Sequence, residues 1–347
     1  MRPKNLLLGA AAGLVLSGAA ASADEVTIAS WGGAYQAAQS KALFGPVAEA
    51  LGITIKEETY KGVGQVRTRV AAESVPWDII DTGSGGGARG CVEGFLVPLD
   101  YNMIDTSDFV EDTHLSCCVG TIVFATVMAW NTDTFGENGP QSWADFWDVE
   151  KFPGTRAIRN KMHGMLEPAL MADGVPMDEV YKVLDSEEGI KRALDKIREL
   201  KPHVAVWWSS GAQHAQLMKD GEVDMTTGWN GRFDVAIADG AKATYTYNQG
   251  LQDYDCFGIP KGAPNPDLAM KVIAEMSKAE YQADIPQYIT YGPTNSKAYD
   301  TGKIDDALSR NLPSHPDNAS KLLAISQEWY AKWEKLGSEM YVDMMTE

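Results

Sequence analysis

Short apolar segments alternate with segments of helical periodicity along this chain, and this alternation limits the possible folds more than any other feature. The apolar segments predict β-strands at residues 26–29, 53–59, 79–81, 123–129, 204–207 and 224–227. Apolar residues at helical spacing predict helices at residues 34–51, 62–73, 187–200, 267–278 and 318–335. Strands that alternate with helices form mainly parallel sheets covered by helices on both faces. The expected fold class is therefore α/β.

The length of the chain predicts two domains. It has 347 residues, and one domain commonly holds roughly 100–200 residues. No low-complexity stretch or flexible linker separates two halves. We therefore expect the chain to cross between the domains in extended strands, near Trp130 and again near residues 247–252.

The first 23 residues have the pattern of a signal peptide. Arg2 and Lys4 give a positive start, residues 6–20 are apolar and small, and residues 21–23 form a small-x-small cleavage pattern. The apolar run is short for a membrane span. We expect cleavage before Asp24 and export to an oxidising compartment, the periplasm.

Export affects how the four cysteines are interpreted. Cys91, Cys117, Cys118 and Cys256 lack C-x-x-C spacing, which argues against a zinc site. In an oxidising compartment one disulfide is the plain expectation. We predict a bridge from Cys91 to Cys117, with Cys118 as the alternative partner. The other interpretation is that these cysteines are small buried hydrophobic residues.

The charge of the chain excludes one class of partner. Asp and Glu number 48 against 30 Lys and Arg, a formal charge of −18. Without residues 1–23, which hold two basic residues and no acidic one, 28 basic residues remain and the charge becomes −20. A nucleic-acid-binding surface needs clustered Lys and Arg, so we expect no nucleic-acid partner.

No catalytic or metal-binding motif is visible. The five histidines lack H-x-x-x-H spacing, and no G-x-S-x-G motif occurs. The glycine-rich run at residues 83–90 lacks the G-K-[ST] ending of a phosphate-binding loop. It follows a predicted strand, at the sheet edge where open α/β folds bind ligands. We expect a tight loop there, which either lines a ligand or only turns the chain. We expect no enzymatic activity, no metal and no cofactor.

Aromatic side chains follow three of the predicted strands. They lie at Trp31 and Tyr35, at Trp207 and Trp208, and at Trp229. Asp253 and Asp255 precede another apolar segment, and we expect Asp255 to face a cleft and Asp253 to face solvent. Aromatic rings attract a cation and a carboxylate neutralises it. These aromatic and acidic side chains together predict a site for a small organic cation.

The same segments resemble those of the periplasmic solute-binding proteins of ABC importers, in the polyamine (spermidine/putrescine) branch. The matching stretches are SWGGAY (30–35), WDII (77–80), SWADFW (142–147), GWNG (228–231), DCFGIP (255–260) and YGPTN (291–295). The resemblance implies a two-lobed periplasmic binding protein fold of type II, with the ligand cleft between the lobes. It also implies an inner-membrane ABC permease as partner, and we expect a monomer.

The resemblance also implies a set of ligand contacts. The positions carried over from the family are Trp31, Ser84, Trp229 and Asp255. With their neighbours, the predicted ligand-binding residues are Trp31, Gly32, Tyr35, Ser84, Gly85, Lys161, Ser210, Trp229, Asn230 and Asp255. We expect the first lobe to hold residues 24–130 and 254–300, and the second lobe residues 131–253 and 301–347.

One loop departs from the polyamine pattern. Polyamine binders carry acidic residues in the first loop of the second lobe, where this chain has Arg159, Lys161 and Gly164. Such a loop repels a second ammonium and attracts a carboxylate, unless Glu167 takes the acidic position. The first expectation is a polyamine-like cation. The alternative is a zwitterionic amine, such as an amino acid, an opine-type conjugate or a betaine. A hydrolase or transferase on the same fold is the alternative from another class.

Overall fold

The structure, a computed structural model, describes residues 24–347. The predicted signal peptide, residues 1–23, lies outside the described residues. The strands are β1 (Glu25–Ser30), β2 (Thr54–Thr59), β3 (Ile79–Gly83), β4 (Leu96–Val97), β5 (His114–Leu115), β6 (Cys118–Asn131), β7 (Arg156–Arg159), β8 (Val204–Trp208), β9 (Met225–Trp229), β10 (Ala243–Pro260), β11 (Gly292–Pro293) and β12 (Leu323–Ala324).

The helices lie between these strands and at the C-terminal end. They are α1 (Gly33–Gln39), α2 (Gly45–Leu51), α3 (Val63–Ala71), α4 (Ser84–Glu93), α5 (Thr132–Phe135), α6 (Trp143–Trp147), α7 (Leu166–Ala172), α8 (Val180–Leu184), α9 (Glu187–Leu200), α10 (Gly211–Lys219), α11 (Asn230–Ala238), α12 (Pro266–Met276), α13 (Ala279–Gln282), α14 (Asp306–Ser309), α15 (Pro316–Ala319) and α16 (Gln327–Thr346). A π-helical turn, Ser40–Phe44, joins α1 to α2.

Two groups of parallel strands flank a central antiparallel pair. The strand order is β2-β1-β3-β10-β6-β9-β7-β8. β1 pairs in parallel with β2 and β3, and β7 pairs in parallel with β8 and β9. β10 runs antiparallel to both β3 and β6, and β6 runs antiparallel to β9. The predicted α/β class and its two-lobed arrangement are confirmed.

Each half of the sheet has its own apolar core. In the first half, Ile28, Ile79 and Phe257 pack with helix residues such as Ile273. In the second half, Trp143, Ile158 and Leu194 pack with Trp329 and Tyr341 of α16. Burial of apolar side chains is the main favourable term in folding. Two separate apolar cores are what two lobes require.

The long strands β6 and β10 change neighbours along their length. β3 pairs with β10 between Asp255 and Gly258, whereas β9 pairs with β6 from Thr126 to Trp130. We therefore propose that β6 crosses between the lobes at residues 123–126, before Trp130, which packs in the core of the second lobe. We place the crossing of β10 at residues 251–254.

The C-terminal segment divides between the lobes. Ile304 and Leu312 pack with Ala283 and Ala298, which belong to the first lobe. The long helix α16 packs in the core of the second lobe. We propose that residues 301–312 are part of the first lobe and that only the later residues belong to the second.

One predicted helix differs in the structure. The helix expected over residues 318–335 is interrupted, because β12 pairs with β10 and a new helix begins after Ser326. The Ser326 hydroxyl accepts a hydrogen bond from the Trp329 amide at 3.1 Å and caps α16. In contrast, α9 occupies the predicted residues 187–200, with Ile190, Leu194 and Ile197 buried on one side.

The prediction of a loop at the glycine-rich run is wrong, because residues 84–93 form helix α4 directly after β3. Glycine in a helix costs about 1 kcal/mol relative to alanine. Here it permits close packing. A Cβ on Gly87 would overlap Cys118 Sγ and lie 2.7 Å from Cys256 Sγ. A Cβ on Gly86 would lie 2.8 Å from Val63. The glycines let the helix pack directly on the sheet.

Both cysteine pairs are bridged. Cys91 is bonded to Cys117, as predicted, with their Cα atoms 5.5 Å apart. Cys118 is bonded to Cys256, with Cα atoms 5.6 Å apart, which the sequence prediction of one disulfide missed. The second bridge ties β6 to β10, the two strands that both lobes share. Among residues 24–347, no helix has the length and apolar character that a bilayer crossing requires.

The packing of α4 leads to a testable prediction about stability. We expect Gly87→Ala to lower the free energy of unfolding by about 1–3 kcal/mol, because the added methyl group overpacks the contact with the Cys118–Cys256 bridge. Gly64 is the matched control, since it is also helical and has open space around its missing Cβ. Gly64→Ala should raise the free energy by about 0.4–1 kcal/mol. Chemical denaturation of both variants measures the difference. Equal stability of the two variants would contradict the packing argument.

Candidate functional site

The cleft lies where the carboxyl ends of strands from both lobes face each other. Trp31 follows β1 and Ser84 follows β3 in the first lobe. Arg159 ends β7, Trp208 ends β8 and Trp229 ends β9 in the second lobe. Ligands of open α/β folds bind at this edge of the sheet. The fold thus brings together side chains that are up to about 200 positions apart in sequence.

The loop after β1 contributes an aromatic wall. The Trp31 ring is half-buried, with its centroid 5.2 Å from the ring of Tyr60. The indole Nε1 is buried and has no hydrogen-bond acceptor within the described residues. Gly32 has a φ of 67°, a left-handed conformation that favours glycine. This backbone places the Gly32 carbonyl where Arg232 Nη2 donates to it at 3.3 Å. The first loop therefore contacts the opposite lobe.

Two arginines flank Trp229 in the second lobe. The Arg159 guanidinium carbon lies 5.1 Å from the centroid of the Trp229 ring, and that of Arg232 lies 5.8 Å from it. Arg232 is buried and Arg159 is half-buried. Within residues 24–347, neither arginine has a carboxylate partner inside 4.0 Å. Desolvation lowers the pKa of Arg159. Cations that are desolvated without a counter-charge are costly, which makes this pair an attractive site for an anion.

His214 supports the Trp229 ring from behind. It is fully buried, and its ring packs against Trp208, Trp229 and Phe233 at centroid distances of 4.9, 5.3 and 4.8 Å. Its Nε2 accepts a hydrogen bond from the Trp229 amide at 3.5 Å. Burial, and then the charges of Arg232 and Arg159, lower the pKa of His214 well below its usual range. The imidazole is therefore neutral and adds no third positive charge.

The facing wall of the first lobe is acidic. Asp81 is fully buried, and its Oδ2 accepts hydrogen bonds from Gln39 Nε2 at 2.6 Å and from Ser30 Oγ at 3.3 Å. Asp255 is 7% exposed, and no donor within the described residues reaches its carboxylate. Burial, and then the neighbouring Asp81 and Asp253, raise the pKa of Asp255 well above its usual range. Arg232 and Arg159 lower it again in part.

The expectation that Asp253 faces solvent is wrong. Asp253 is buried, and its Oδ1 accepts hydrogen bonds from Ser84 Oγ and from the Tyr254 amide, the latter at 2.8 Å. Its Oδ2 lies 3.4 Å from His163 Nε2. The physical reason is the alternation of side chains in a strand. Residues two apart point to the same face, so Asp253 and Asp255 in β10 share one side of the sheet.

Ser84 and Gly85 connect the two lobes. The Ser84 hydroxyl donates to Asp253 and accepts a hydrogen bond from Gln327 Nε2 of α16. A Cβ on Gly85 would lie 3.6 Å from the ring of His163. Nearby, Arg89 forms an ion pair of 3.1 Å with Glu334 of α16. With the contact between Arg232 and Gly32, these interactions hold the lobes together in a closed conformation.

The remaining predicted site residues take different positions. The Tyr35 hydroxyl is buried 3.4 Å from Thr121 Oγ1, behind the acidic wall. The Asn230 Oδ1 accepts a hydrogen bond from the Ala125 amide, and its Nδ2 donates to the Thr290 carbonyl. Asn230 therefore stabilises the backbone around the cleft. Lys161 and Ser210 are exposed. Partial desolvation, and then the charges of Arg159 and Arg89, lower the pKa of Lys161.

The sequence prediction missed four side chains of the cleft: Asp81, His163, Arg232 and Gln327. Two of them were adjacent to recognised patterns, since Arg232 follows the GWNG stretch and Asp81 closes the apolar strand after WDII. A charged residue at the end of a buried strand was the available signal. His163 and Gln327 gave no such signal. Within residues 24–347, groups of His, Cys, Asp and Glu suited to holding a metal ion do not occur.

Comparisons with known proteins place this geometry in a family. The family model described as "Bacterial extracellular solute-binding protein" matches residues 42–310. The chain is 36% identical to the gamma-aminobutyric acid-binding protein of Pseudomonas aeruginosa, over 94% of this chain and 92% of that protein. It is 22% identical to spermidine/putrescine-binding periplasmic protein 1 of Haemophilus influenzae, over 67% of this chain and 65% of that protein.

A solved structure shows the same arrangement. MotA, a PBP from A. tumefaciens B6, was solved in complex with glucopine and superposes with a TM-score of 0.90 at 44% identity. The match covers 92% of this chain and 99% of MotA. Proteins of this group bind substrates for transporters and are not enzymes. The chain belongs to the bacterial extracellular solute-binding protein family and has the two-lobed fold of the binding proteins that serve ABC importers.

Proposed function

We propose that this protein captures a zwitterionic amine, an amino acid or an opine-type conjugate, and delivers it to an ABC importer. One observation carries the proposal. The cleft has two cationic side chains on one wall, Arg159 and Arg232, and an unpaired carboxylate, Asp255, on the other. A ligand with a carboxylate and an ammonium satisfies both walls at once.

The arginine wall suits a carboxylate. The guanidinium group presents several N–H donors in a plane and commonly binds a carboxylate in a bidentate manner. Stacking of Arg159 and Arg232 on Trp229 holds both groups in place before the ligand enters. Because the side chains are already ordered, binding loses less conformational entropy. A purely cationic ligand gains nothing from this wall and is repelled by it.

The acidic wall suits an ammonium. Asp255 supplies the counter-charge, and the ring of Trp31 supplies cation–π attraction. The Trp31 Nε1, which has no acceptor among the described residues, is available to a polar group of the ligand. A conjugate with hydroxyl groups on its second carbon chain would use this donor better than a short amino acid does.

The first expectation, a polyamine-like cation, is less well supported than its zwitterionic alternative. A polyamine needs acidic groups at both ends, and the loop after β7 has Arg159 and Lys161 in their place. The relatives that match over most of the chain bind gamma-aminobutyric acid and glucopine, whereas the similarity to the spermidine/putrescine binder is distant. These observations favour a ligand with a negative and a positive end.

We extend the proposal to the setting of the protein. The predicted signal peptide directs the chain to the periplasm, where the mature protein hands its ligand to an inner-membrane permease. Both walls of the site come from one chain, so a monomer is sufficient for binding. The contacts between the lobes, such as that of Arg232 with Gly32, form on closure and break when the ligand is released.

The carboxylate end of the ligand is tested at Arg159. In isothermal titration of the wild type we expect glucopine or gamma-aminobutyrate to bind and spermidine to fail. Arg159→Gln should weaken the zwitterion by about 2–5 kcal/mol, as for loss of one partner from a buried charge pair. Arg67→Gln is the matched control, because Arg67 is exposed and its ion-pair partner among residues 24–347 is Glu93 on the surface. Binding of spermidine with affinity equal to that of the zwitterions would refute the proposal.

The ammonium end is tested at Asp255. Asp255→Asn keeps the shape and removes the charge, so affinity for the same zwitterion should fall by about 2–5 kcal/mol. A matched ligand separates the two ends. 4-Aminobutanamide lacks the carboxylate, so it should still lose affinity in Asp255→Asn but respond little to Arg159→Gln. If both variants affect this amide equally, the assignment of opposite walls to opposite ends is wrong.

A further inference from the structure

Three carboxylates share one face of the sheet at the cleft. In the antiparallel register of β3 and β10, Asp255 lies opposite Gly83 and Phe257 lies opposite Asp81. Residues that face each other in a ladder, and residues two apart in a strand, point to the same side. Asp81, Asp253 and Asp255 are therefore neighbours on that face, and all three are buried.

The three carboxylates differ in their hydrogen bonds. Both oxygens of Asp253 have a partner within the described residues, namely Ser84, the Tyr254 amide and His163. Asp81 has donors only at Oδ2, and its buried Oδ1 has none among the described residues. Asp255 has no donor from residues 24–347 at either oxygen. The Asp81–Asp255 pair therefore has too few hydrogen-bond donors to stabilise two full negative charges.

The groups around the pair do not neutralise it by direct contact. Tyr35 of α1, Tyr60 and Tyr291 are neutral hydroxyls whose pKa values burial raises further. The charges of Arg232 and Arg159 on the opposite wall lower the pKa of Asp255, but both groups lie beyond ion-pair distance. In the part of the chain that the structure describes, the basic group that reaches any of the three carboxylates within 4.0 Å is His163, at Asp253. Adjacent buried carboxylates without counter-charges do not all ionise together.

We propose that ligand binding is coupled to release of one proton from the pair Asp81 and Asp255. The inference rests on the proposed function, since it requires an ammonium at this wall. Without ligand, the pair keeps one proton as a carboxylic acid. When the ammonium arrives beside Asp255, its positive charge takes over the neutralising role. The carboxylic O–H bond then breaks and the proton passes to water or buffer. No other bond forms or breaks.

The coupling makes affinity depend on pH in a defined direction. Burial raises the pKa of Asp81 to about 7, although the hydrogen bonds from Gln39 and Ser30 oppose the shift. The pKa of Asp255 is also raised well above its usual range, by burial first and then by Asp81, so the ligand-free pair holds at least one proton at pH 7 and below. Because the complex has lost that proton, affinity should fall up to tenfold for each unit of pH below this value. The ligand itself keeps its charges across pH 5–7, so it does not cause the change.

The retained proton is tested first, without any ligand. Carbon-13 NMR of aspartate carboxyl groups in the ligand-free protein should show a carboxyl of the pair that titrates near neutral pH, in addition to Asp234, whose pKa burial raises to about 6. This signal should disappear or shift strongly in Asp81→Asn. It should persist in Asp234→Asn, the matched control, because Asp234 is a half-buried carboxylate on α11 that accepts a hydrogen bond from the Tyr245 hydroxyl at 3.0 Å and lies outside the cluster. If both Asp81 and Asp255 titrate below pH 5, the proposal is overturned.

Release on binding is tested with glucopine and with gamma-aminobutyrate. Titration calorimetry at pH 6.5 in phosphate and in imidazole buffers gives the number of protons released, since the buffers differ in heat of ionisation. We expect a release between one half and one proton in the wild type and in Asp234→Asn, and a smaller release in Asp81→Asn, where Asp255 has lost its charged neighbour but stays buried. Equal heats in both buffers with tight binding would overturn the proton coupling and leave the proposed function standing. If neither probe binds, the proposed function fails, and the coupling fails with it even where the NMR experiment finds the retained proton.

Discussion

The antiparallel pairing of β6 with β10 is the interaction on which the rest of the structure depends. These two strands run through both lobes, and the bridge between Cys118 and Cys256 fixes them to each other. On one side β3 pairs antiparallel with β10, and on the other side β9 pairs antiparallel with β6. The two parallel groups of strands therefore run in opposite directions. Their carboxyl ends consequently face the same gap from opposite sides. The cleft, and the opposition of its two walls, follow from this one ladder.

The cleft separates charges of opposite sign that do not meet in the closed chain. Arg159 and Arg232 lie on the Trp229 side, while Asp81 and Asp255 lie on the β3 and β10 side. Each group is desolvated before the ligand arrives, at a cost to the stability of the protein. The proposed zwitterion would supply the missing counter-charge to both. In the two proposals the same carboxylates, which lack counter-charges, attract an ammonium and retain a proton in its absence, so capture and proton release would have one electrostatic origin.

Local packing explains where simple sequence rules failed. Four glycines in ten residues suggested a loop, yet α4 forms because Gly86 and Gly87 let a helix lie directly on Val63 and on the bridge between Cys118 and Cys256. The error at Asp253 had another origin, since strand alternation already placed it on the same face as Asp255. That mistake was avoidable from the sequence, whereas the helical state of α4 depended on contacts with distant residues.

The sequence by itself determined the α/β class, the alternation of strands and helices and the aromatic loops at Trp31 and Trp229, and it favoured Cys117 over Cys118 as the partner of Cys91 without excluding either. These features depend on periodicity and on neighbours close in the chain. It also supplied the basic loop at Arg159, the first observation behind the proposal of a ligand that carries a carboxylate. Only the tertiary structure decided that Arg159 and Arg232 share the ring of Trp229, that Asp81 lies beside Asp255, and that Gln327 closes on Ser84. Such pairs join residues far apart in sequence, and their proximity depends on strand order and register, which no local pattern encodes.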